Sequence, residues 1–144
     1  MFMSMPLQSQ PQQAGFPGKR RKPVLVFSPD PDLAKSISLL LEEEFEIVCV
    51  TRLEHLLPRI EAATPAVMII DLFAFPSDVI RELRVLQTSG KRIPIVVLRI
   101  KRLMSMEVEQ TIREMAEMVL FKPLEGSSVA DAIHKVLEIR EGLT

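Results

Sequence analysis

The chain has 144 residues, of which 47% are hydrophobic and 26% are charged, and its net charge at pH 7 is −1. These values predict one globular domain with a sizeable core, without a bulk charge that would favour nucleic acid or an anionic membrane. Cys49 is the only cysteine, which excludes an internal disulfide framework and a multi-cysteine zinc site. Because no apolar run approaches the ~18 residues of a membrane span and no signal-peptide pattern is present, we expect a cytoplasmic protein.

The first 22 residues differ in composition from the rest of the chain. Residues 1–18 are rich in Pro and Gln and show no hydrophobic period, and residues 19–22 form the basic cluster Lys-Arg-Arg-Lys. Such a cluster can contact nucleic acid or an acidic partner, but four charges without aromatic neighbours specify little. We therefore expect residues 1–22 to be a flexible N-terminal arm and residues 23–144 to be the domain.

The domain opens with a predicted strand and helix. Residues 24–27 form a continuous apolar run, which is typical of a strand buried on both faces. Asp30 is expected to cap the helix that follows, with Pro31 at the first helical position, where its missing N–H has no cost. The predicted apolar stripe of this helix comprises Leu33, Ile37, Leu40 and Leu41.

The next segment predicts a second strand, a weaker helix and a third strand. Residues 47–50 have strand character, and residues 51–54, Thr-Arg-Leu-Glu, have the form of a capping box. Pro58 removes a backbone hydrogen bond, so the helix should kink or start late. Residues 66–70 form the third strand, and Asp71 ends that apolar run.

The second half of the chain continues the alternation. It predicts a helix over residues 78–87, a strand over 93–98, a helix over 105–117, a strand over 118–121 and a last helix capped by Ser127 or Ser128. Five strands that alternate with five helices predict parallel βαβ units with right-handed crossovers. The fold class is therefore α/β, with one doubly wound parallel sheet.

The carboxyl ends of the strands form the ligand crevice of such a sheet. Residues 28–30, Asp71, Arg99 and Lys122 follow the first, third, fourth and fifth strands and are expected there. Asp71 is the strongest candidate, because a carboxylate at the end of a buried strand is costly to desolvate. Its alternative role is to cap the next turn. Pro123 cannot continue the strand and forces a turn, with a cis or a trans bond.

Two motifs resemble those of the receiver domains of bacterial response regulators. They are residues 69–72, Ile-Ile-Asp-Leu, and residues 121–124, Phe-Lys-Pro-Leu. Residues 24–32 at the first strand and 93–98 at the fourth also match the family, and the resemblance extends over roughly residues 23–141. It implies a CheY-like, flavodoxin-like sheet in the order 2-1-3-4-5. In that family the Asp accepts a phosphoryl group from a histidine kinase and the Lys contacts the group. The resemblance thus implies Asp71 as the phosphoacceptor position and Lys122 as its contact.

The chain departs from the family at the metal site. Receivers usually carry two acidic residues after the first strand, whereas this chain has Ser28 and Pro29 there and Asp30 one position later. Because Mg²⁺ generally needs carboxylates to hold it, a magnesium site on Asp71 and Asp30 is expected to be weak or absent. The favoured role of Asp30 is the helix cap. We expect no bound cofactor.

The chain also departs from the family at the two switch residues. Arg99 stands where receivers have Thr or Ser, and Val119 replaces the usual aromatic residue. We hypothesise that Asp71 pairs with Lys122, with Arg99 or with both, since an arginine can bind a carboxylate bidentately without a metal. The alternative is that Arg99 points to solvent with residues 101–102.

The favoured function is a stand-alone, receiver-like module of two-component signalling that docks to a protein, with little magnesium-dependent phosphorylation and no enzymatic activity. The partner is expected to be a histidine kinase or a downstream protein. A homodimer can form through the fourth helix, fifth strand and fifth helix, a face with four methionines: Met104, Met106, Met115 and Met118.

Three alternatives remain open. The chain can be a working phosphoacceptor on Asp71. It can also bind a small ligand or a flavin, although the loop over residues 28–31 lacks a glycine-rich cradle and the chain has no Trp or Tyr to stack on a flavin. Nucleic-acid binding through residues 19–22 is the third alternative and is not expected.

Overall fold

The computed structural model describes residues 21–142, and side chains as far as residue 139. Residues 1–20, which include most of the predicted arm and two residues of the basic cluster, lie outside the described residues. The arm therefore stays a prediction.

Strands and helices alternate along the described chain. They are β1 (Pro23–Phe27), α1 (Pro31–Leu41), β2 (Glu46–Val50), a 3-10 turn (Leu53–His55), α2 (Leu56–Ala63), β3 (Val67–Asp71), α3 (Pro76–Thr88), β4 (Ile95–Arg99), α4 (Met106–Met115), β5 (Ala116–Phe121) and α5 (Ser128–Gly142). All strand pairs are parallel, and the order is β2-β1-β3-β4-β5. The predicted α/β fold with one doubly wound sheet is confirmed.

The sheet separates two hydrophobic cores. The side chains of β1 and β3 alternate between the two faces, so that Leu25 and Met68 lie on one face and Val26 and Ile69 on the other. Helices α2, α3 and α4 cover the first face, and α1 and α5 cover the second. Strands β3 and β4 are buried along their whole length, as expected for parallel strands covered on both sides. This packing fixes the strand ends that build the crevice.

Helix α1 begins as predicted, but its apolar stripe is displaced. Asp30 Oδ1 accepts hydrogen bonds from the backbone N–H groups of Asp32 and Leu33, and Pro31 is the first helical residue. The buried residues are Ala34, Ile37 and Leu41, whereas Leu40 is 52% exposed. The prediction for Leu40 is wrong because that position lies roughly 90° around the helix from the centre of the buried stripe.

Helix α2 starts late, as Pro58 predicts, but the capping box is wrong. A 3-10 turn precedes the helix, and Pro58 is the third helical residue, where it breaks no intrahelical bond. Arg52, rather than Thr51, precedes the turn and makes no side-chain cap. The Glu54 carboxylate accepts a hydrogen bond of 2.9 Å from Arg52 Nε, and Arg52 thereby occupies the carboxylate that a capping box requires.

Two strand boundaries in the second half also differ from the prediction. Strand β4 begins at Ile95 because Pro94 has no N–H, although its carbonyl accepts a hydrogen bond from Met68 N at 2.9 Å. Helix α4 ends at Met115 and β5 begins at Ala116, with an irregularity in the β4–β5 register at that point. The predicted helix over residues 105–117 is therefore too long.

Within residues 21–142, no helix is both long enough and apolar enough to cross a membrane.

Candidate functional site

The candidate site lies at the carboxyl edge of the sheet, where parallel strands end together. Ser28 follows β1, Asp71 ends β3, Arg99 ends β4 and Lys122 follows β5. Strands β1 and β4 both flank β3, so Asp71 is central among these strand ends. The structure brings Ser28 and Lys122 onto Asp71 but turns Arg99 away.

Asp71 is a fully buried carboxylate whose two oxygens both accept hydrogen bonds. Oδ2 accepts from Ser28 Oγ at 2.7 Å, and Oδ1 accepts from Lys122 Nζ at 2.9 Å and from the Phe73 backbone N–H at 3.0 Å. Its side chain is 0% exposed. Burying a charge is costly unless it is paired and hydrogen-bonded, and these three donors meet that condition without a metal.

Lys122 makes the contact that the sequence predicts. Its ammonium binds Asp71 and lies 5.0 Å from the centroid of the Phe73 ring, which supplies a cation–π contact. Its backbone N–H donates to Arg99 O at 2.8 Å, so the end of β5 is tied to the end of β4. The Lys122–Pro123 peptide bond is cis.

Ser28 has a role that the sequence analysis missed. Its hydroxyl donates to Asp71 and accepts a hydrogen bond of 3.1 Å from the Asp30 backbone N–H. The residue is completely buried. The available signal was its position: the β1–β3 register pairs Phe27 with Ile70, which makes Ser28 the neighbour of Asp71. From the sequence, Ser28 was expected only to be a weak metal ligand.

The expected pair between Arg99 and Asp71 is wrong. Arg99 binds Glu109 bidentately, with Nη1–Oε1 at 2.8 Å and Nη2–Oε2 at 2.7 Å. Nη2 also donates to Arg102 O at 3.0 Å. Arg99 is only 8% exposed, so the solvent-exposed alternative is wrong as well. The physical reason is that Glu109 lies in the first turn of α4, within reach of the end of β4, and offers a planar carboxylate to the planar guanidinium.

This ion pair ties the β4–α4 loop to the sheet. Glu109 Oε2 also accepts from Met104 N at 2.9 Å, and the Ser105 hydroxyl caps α4 by accepting from Val108 N. The hydrogen bond from Arg99, followed by that from the Met104 backbone, lowers the pKa of Glu109 from its ordinary 4.5 to about 2. The same hydrogen bond raises the pKa of Arg99. The Phe121 ring lies 5.7 Å from Arg99 Cζ.

The residues at this edge do not fit a magnesium ion. Within residues 21–142, no group of three His, Cys, Asp or Glu side chains is arranged to hold a metal. Both Asp71 oxygens already accept hydrogen bonds, and Asp30 Oδ1 caps α1. Ser28 offers a neutral hydroxyl and Pro29 no side-chain ligand, whereas Mg²⁺ prefers several oxygens with near-octahedral geometry. The predicted ligands Asp71 and Asp30 therefore do not form a suitable donor set.

An open cavity of about 440 Å³ lies beside Lys122. Its wall is formed mostly by apolar residues, and the full lining comprises Pro29, Asp30, Phe73, Ala74, Ile100 and Lys122. Phe73 is 50% exposed, so part of this apolar wall faces solvent. The cavity includes Pro29 and Asp30, which follow β1, and Lys122, which follows β5.

The methionine-rich face predicted from the sequence is present only in part. Met106 is 88% exposed, and Met104 and Met118 are half-buried. Met115 is 9% exposed and packs in the core with Val108 and Ile112, so it does not belong to the exposed part of this face. A homodimer through this face stays a prediction.

Comparisons with known proteins identify the fold. The receiver domain of Francisella response regulator 1452 superposes with a TM-score of 0.70 at 20% identity, over 83% of this chain and 99% of that one. A response-regulator receiver domain from Bermanella marisrubri gives 0.66 at 25% identity, over 81% and 98%. The Vibrio cholerae chemotaxis protein CheY4 gives 0.66 at 20% identity, over 81% and 98%. No family model and no curated protein sequence matches the chain. The chain thus has the fold of response-regulator receiver domains.

Proposed function

We propose that this chain is a receiver-like module of two-component signalling that acts by docking to a protein partner and is not phosphorylated through a magnesium-dependent reaction. The receiver fold and the Lys122–Asp71 contact support the signalling role. The observation that carries the second half of the proposal is the closed environment of Asp71, which has no exposed surface and whose two oxygens accept three hydrogen bonds.

Phosphoryl transfer to Asp71 requires an oxygen that can approach phosphorus in line and a cation that neutralises the developing charge. Oδ2 is bound by Ser28 and Oδ1 by Lys122 and the Phe73 amide. Three of the about four lone-pair sites of the carboxylate are therefore occupied, and the side chain has no exposed surface through which phosphorus can approach. The carboxylate ligands for a magnesium ion are also lacking at residues 28 and 29, where Ser28 and Pro29 stand in place of the two acidic residues.

The Arg99–Glu109 pair argues for a module with one conformation. In phosphorylated receivers, the residue at the end of β4 is expected to move toward the phosphoryl group. Here that residue is Arg99, and its guanidinium is held by Glu109 and by Arg102 O. Moving it would leave a buried cation without its partner, which costs several kcal/mol in typical cases. The second switch residue of receivers is aromatic, and Val119 at that position has no aromatic ring.

Docking then depends on surfaces that are present permanently. The partner class we propose is a signalling protein, either a histidine kinase or a downstream protein. The alternative partner is a second copy of the chain, bound through the face that α4, β5 and α5 form. At the α4 end of this face, Leu103 and Met106 are each 88% exposed. No enzymatic activity is proposed.

Phosphorylation with acetyl phosphate and Mg²⁺, followed by intact-mass measurement, tests the proposal. We expect the wild-type mass to stay unchanged over a period in which a conventional receiver becomes phosphorylated. A stoichiometric phosphoryl adduct on the wild type that is lost in Asp71→Asn contradicts the proposal.

The alternative function, a working phosphoacceptor, is favoured by one observation. Asp30 and Lys122 line the same cavity, so a carboxylate and an ammonium lie on one side of the crevice. The adduct described above would establish this alternative.

A further inference from the structure

The carboxyl edge of the sheet carries an unusual share of the exposed apolar surface. Within residues 21–139, nine large apolar side chains are strongly exposed, and five of them lie at this edge. Phe73 and Phe75 are in the β3–α3 loop, Leu103 is in the β4–α4 loop, Met106 starts α4 and Phe121 ends β5. Single exposed apolar residues are common, but several of them at one edge of a domain typically mark a binding surface. Phe73 is the member of this group that lines the cavity beside Lys122.

The cavity beside Lys122 can receive one apolar group. Its volume of about 440 Å³ falls within the range of ligand pockets, and Pro29, Phe73, Ala74 and Ile100 form its apolar wall. Hot spots of protein interfaces are typically aromatic or large side chains that fill such pockets. The cavity therefore fits the anchor side chain of a partner better than a phosphoryl group with its metal.

The charges around the cavity indicate the chemistry of the partner. Lys101 and Arg102 are exposed in the loop that leaves the cavity at Ile100, and neither side chain has a partner among the described residues. Asp30 is acidic, but its Oδ1 is engaged in capping α1. A basic loop tip next to an apolar cavity is complementary to an apolar anchor flanked by carboxylates.

We propose that the former phosphorylation crevice of this fold is here a docking site for an acidic peptide segment of a partner protein. One aromatic or large aliphatic side chain of the segment occupies the cavity between Phe73 and Ile100. Its Asp or Glu residues contact Lys101 and Arg102. This inference rests on the proposed function, since it assigns the docking surface of the same module.

The test uses short random peptides displayed on phage and selected on the full-length chain. We expect enriched sequences to combine an aromatic or large aliphatic residue with neighbouring Asp or Glu residues. The affinity of an enriched peptide is then measured for the wild type and for variants, by fluorescence polarisation at several salt concentrations.

Two variants address the cavity. Phe73→Ser with Ile100→Ser removes the apolar wall, and Ala74→Trp fills the cavity while all core side chains are retained. Each should weaken binding by about tenfold or more, as expected for the loss of an anchor pocket. Circular dichroism verifies that each variant is folded, and Ala74→Trp keeps the test decisive if the double serine variant unfolds.

A third variant addresses the charges, and a fourth is the matched control. Lys101→Gln with Arg102→Gln removes both charges and should weaken binding and largely abolish its salt dependence. Leu39→Ser with Leu40→Ser removes two exposed leucines from α1, remote from the cavity, and should leave binding unchanged.

The following results overturn the inference: peptides that bind the cavity variants as well as the wild type, enriched peptides that are basic, or no enriched peptide at all. Concentration-dependent self-association that is lost in Ala74→Trp also overturns it, because a second copy is then the occupant. A different result, a phosphoryl adduct on Asp71 of the wild type, would contradict the proposed function.

Discussion

Ser28 Oγ lies 2.7 Å from Asp71 Oδ2 and donates a hydrogen bond to it. A neutral donor therefore lies next to the buried carboxylate at the end of β1. The hydroxyl satisfies the second oxygen of Asp71, and Lys122 with the Phe73 amide satisfies the first. Groups of the protein itself thereby stabilise the buried Asp71 carboxylate. Removing any one of these hydrogen-bond donors should therefore lower the free energy of unfolding.

Ser28→Ala should lower the free energy of unfolding by about 2 kcal/mol, because a buried carboxylate loses a charge-assisted hydrogen bond. Urea denaturation measures this change. Ser36→Ala, at an exposed position of α1, is the matched control and should change stability by a few tenths of a kcal/mol at most. Equal effects of the two substitutions would contradict the structural role of Ser28.

Lys122→Met should lower the free energy of unfolding by about 3 kcal/mol, because it leaves Asp71 buried without its cationic partner. Adding Asp71→Asn removes the uncompensated charge, so the double variant should be more stable than Lys122→Met alone. Urea denaturation of both single variants and the double variant gives the coupling energy. A double variant that is less stable than Lys122→Met would argue against this pair.

The Arg99–Glu109 pair should make stability depend on pH in the acidic range. The pKa of Glu109 is about 2 in the folded protein against an ordinary 4.5. The carboxylate form is thus favoured by folding, and its contribution is complete above about pH 4.5 and lost as the pH falls toward about 2. Solvent screening keeps this contribution below about 3 kcal/mol.

Glu109→Gln should therefore be less stable than the wild type at about pH 6, and the difference should shrink as the pH approaches about 2. Urea denaturation at a series of pH values measures it. Glu107→Gln, at an exposed position in the same turn, is the control. Its free energy of unfolding should change with pH in the same way as that of the wild type. If the free energies of unfolding of Glu109→Gln and the wild type differ by the same amount at every pH, the prediction is contradicted.

Ser28→Asp combined with Pro29→Asp should create a magnesium-dependent protein. Without metal, the added carboxylates repel Asp71 and lower the melting temperature, and Mg²⁺ should raise it again by neutralising them. The wild type should show no such response. Thermal unfolding with and without Mg²⁺ measures both proteins, and a variant indifferent to Mg²⁺ would mean that these positions are not equivalent to a receiver's acidic pair.

The sequence predicted the fold and the Asp71–Lys122 contact because both depend on strand order. Apolar runs and helical stripes specify the alternation of elements, and parallel pairing then brings the residues after β3 and β5 to the same edge. The contact between Lys122 and Asp71 was implied by the resemblance to receiver domains, and the topology makes it possible by bringing both residues to one edge.

The partner of Arg99 was not predictable in the same way. An arginine side chain is long enough to reach several elements, so its contact depends on the orientation of α4 rather than on strand order. Ser105 caps α4 in the structure and places Glu109 one turn further along. That spacing was a usable signal, but choosing Glu109 over Asp71 required knowing that Ser28 and Lys122 already satisfy Asp71.

The most direct test of the central claim, that Asp71 is closed to a phosphoryl group, is an amide NMR titration with Mg²⁺ and beryllofluoride, an analogue of a carboxylate-bound phosphoryl group. We predict that the Leu72, Phe73 and Arg99 amide resonances stay in place, because the Asp71 oxygens remain bound to Ser28 and Lys122. Saturable shifts of these resonances that are lost in Asp71→Asn would contradict the account.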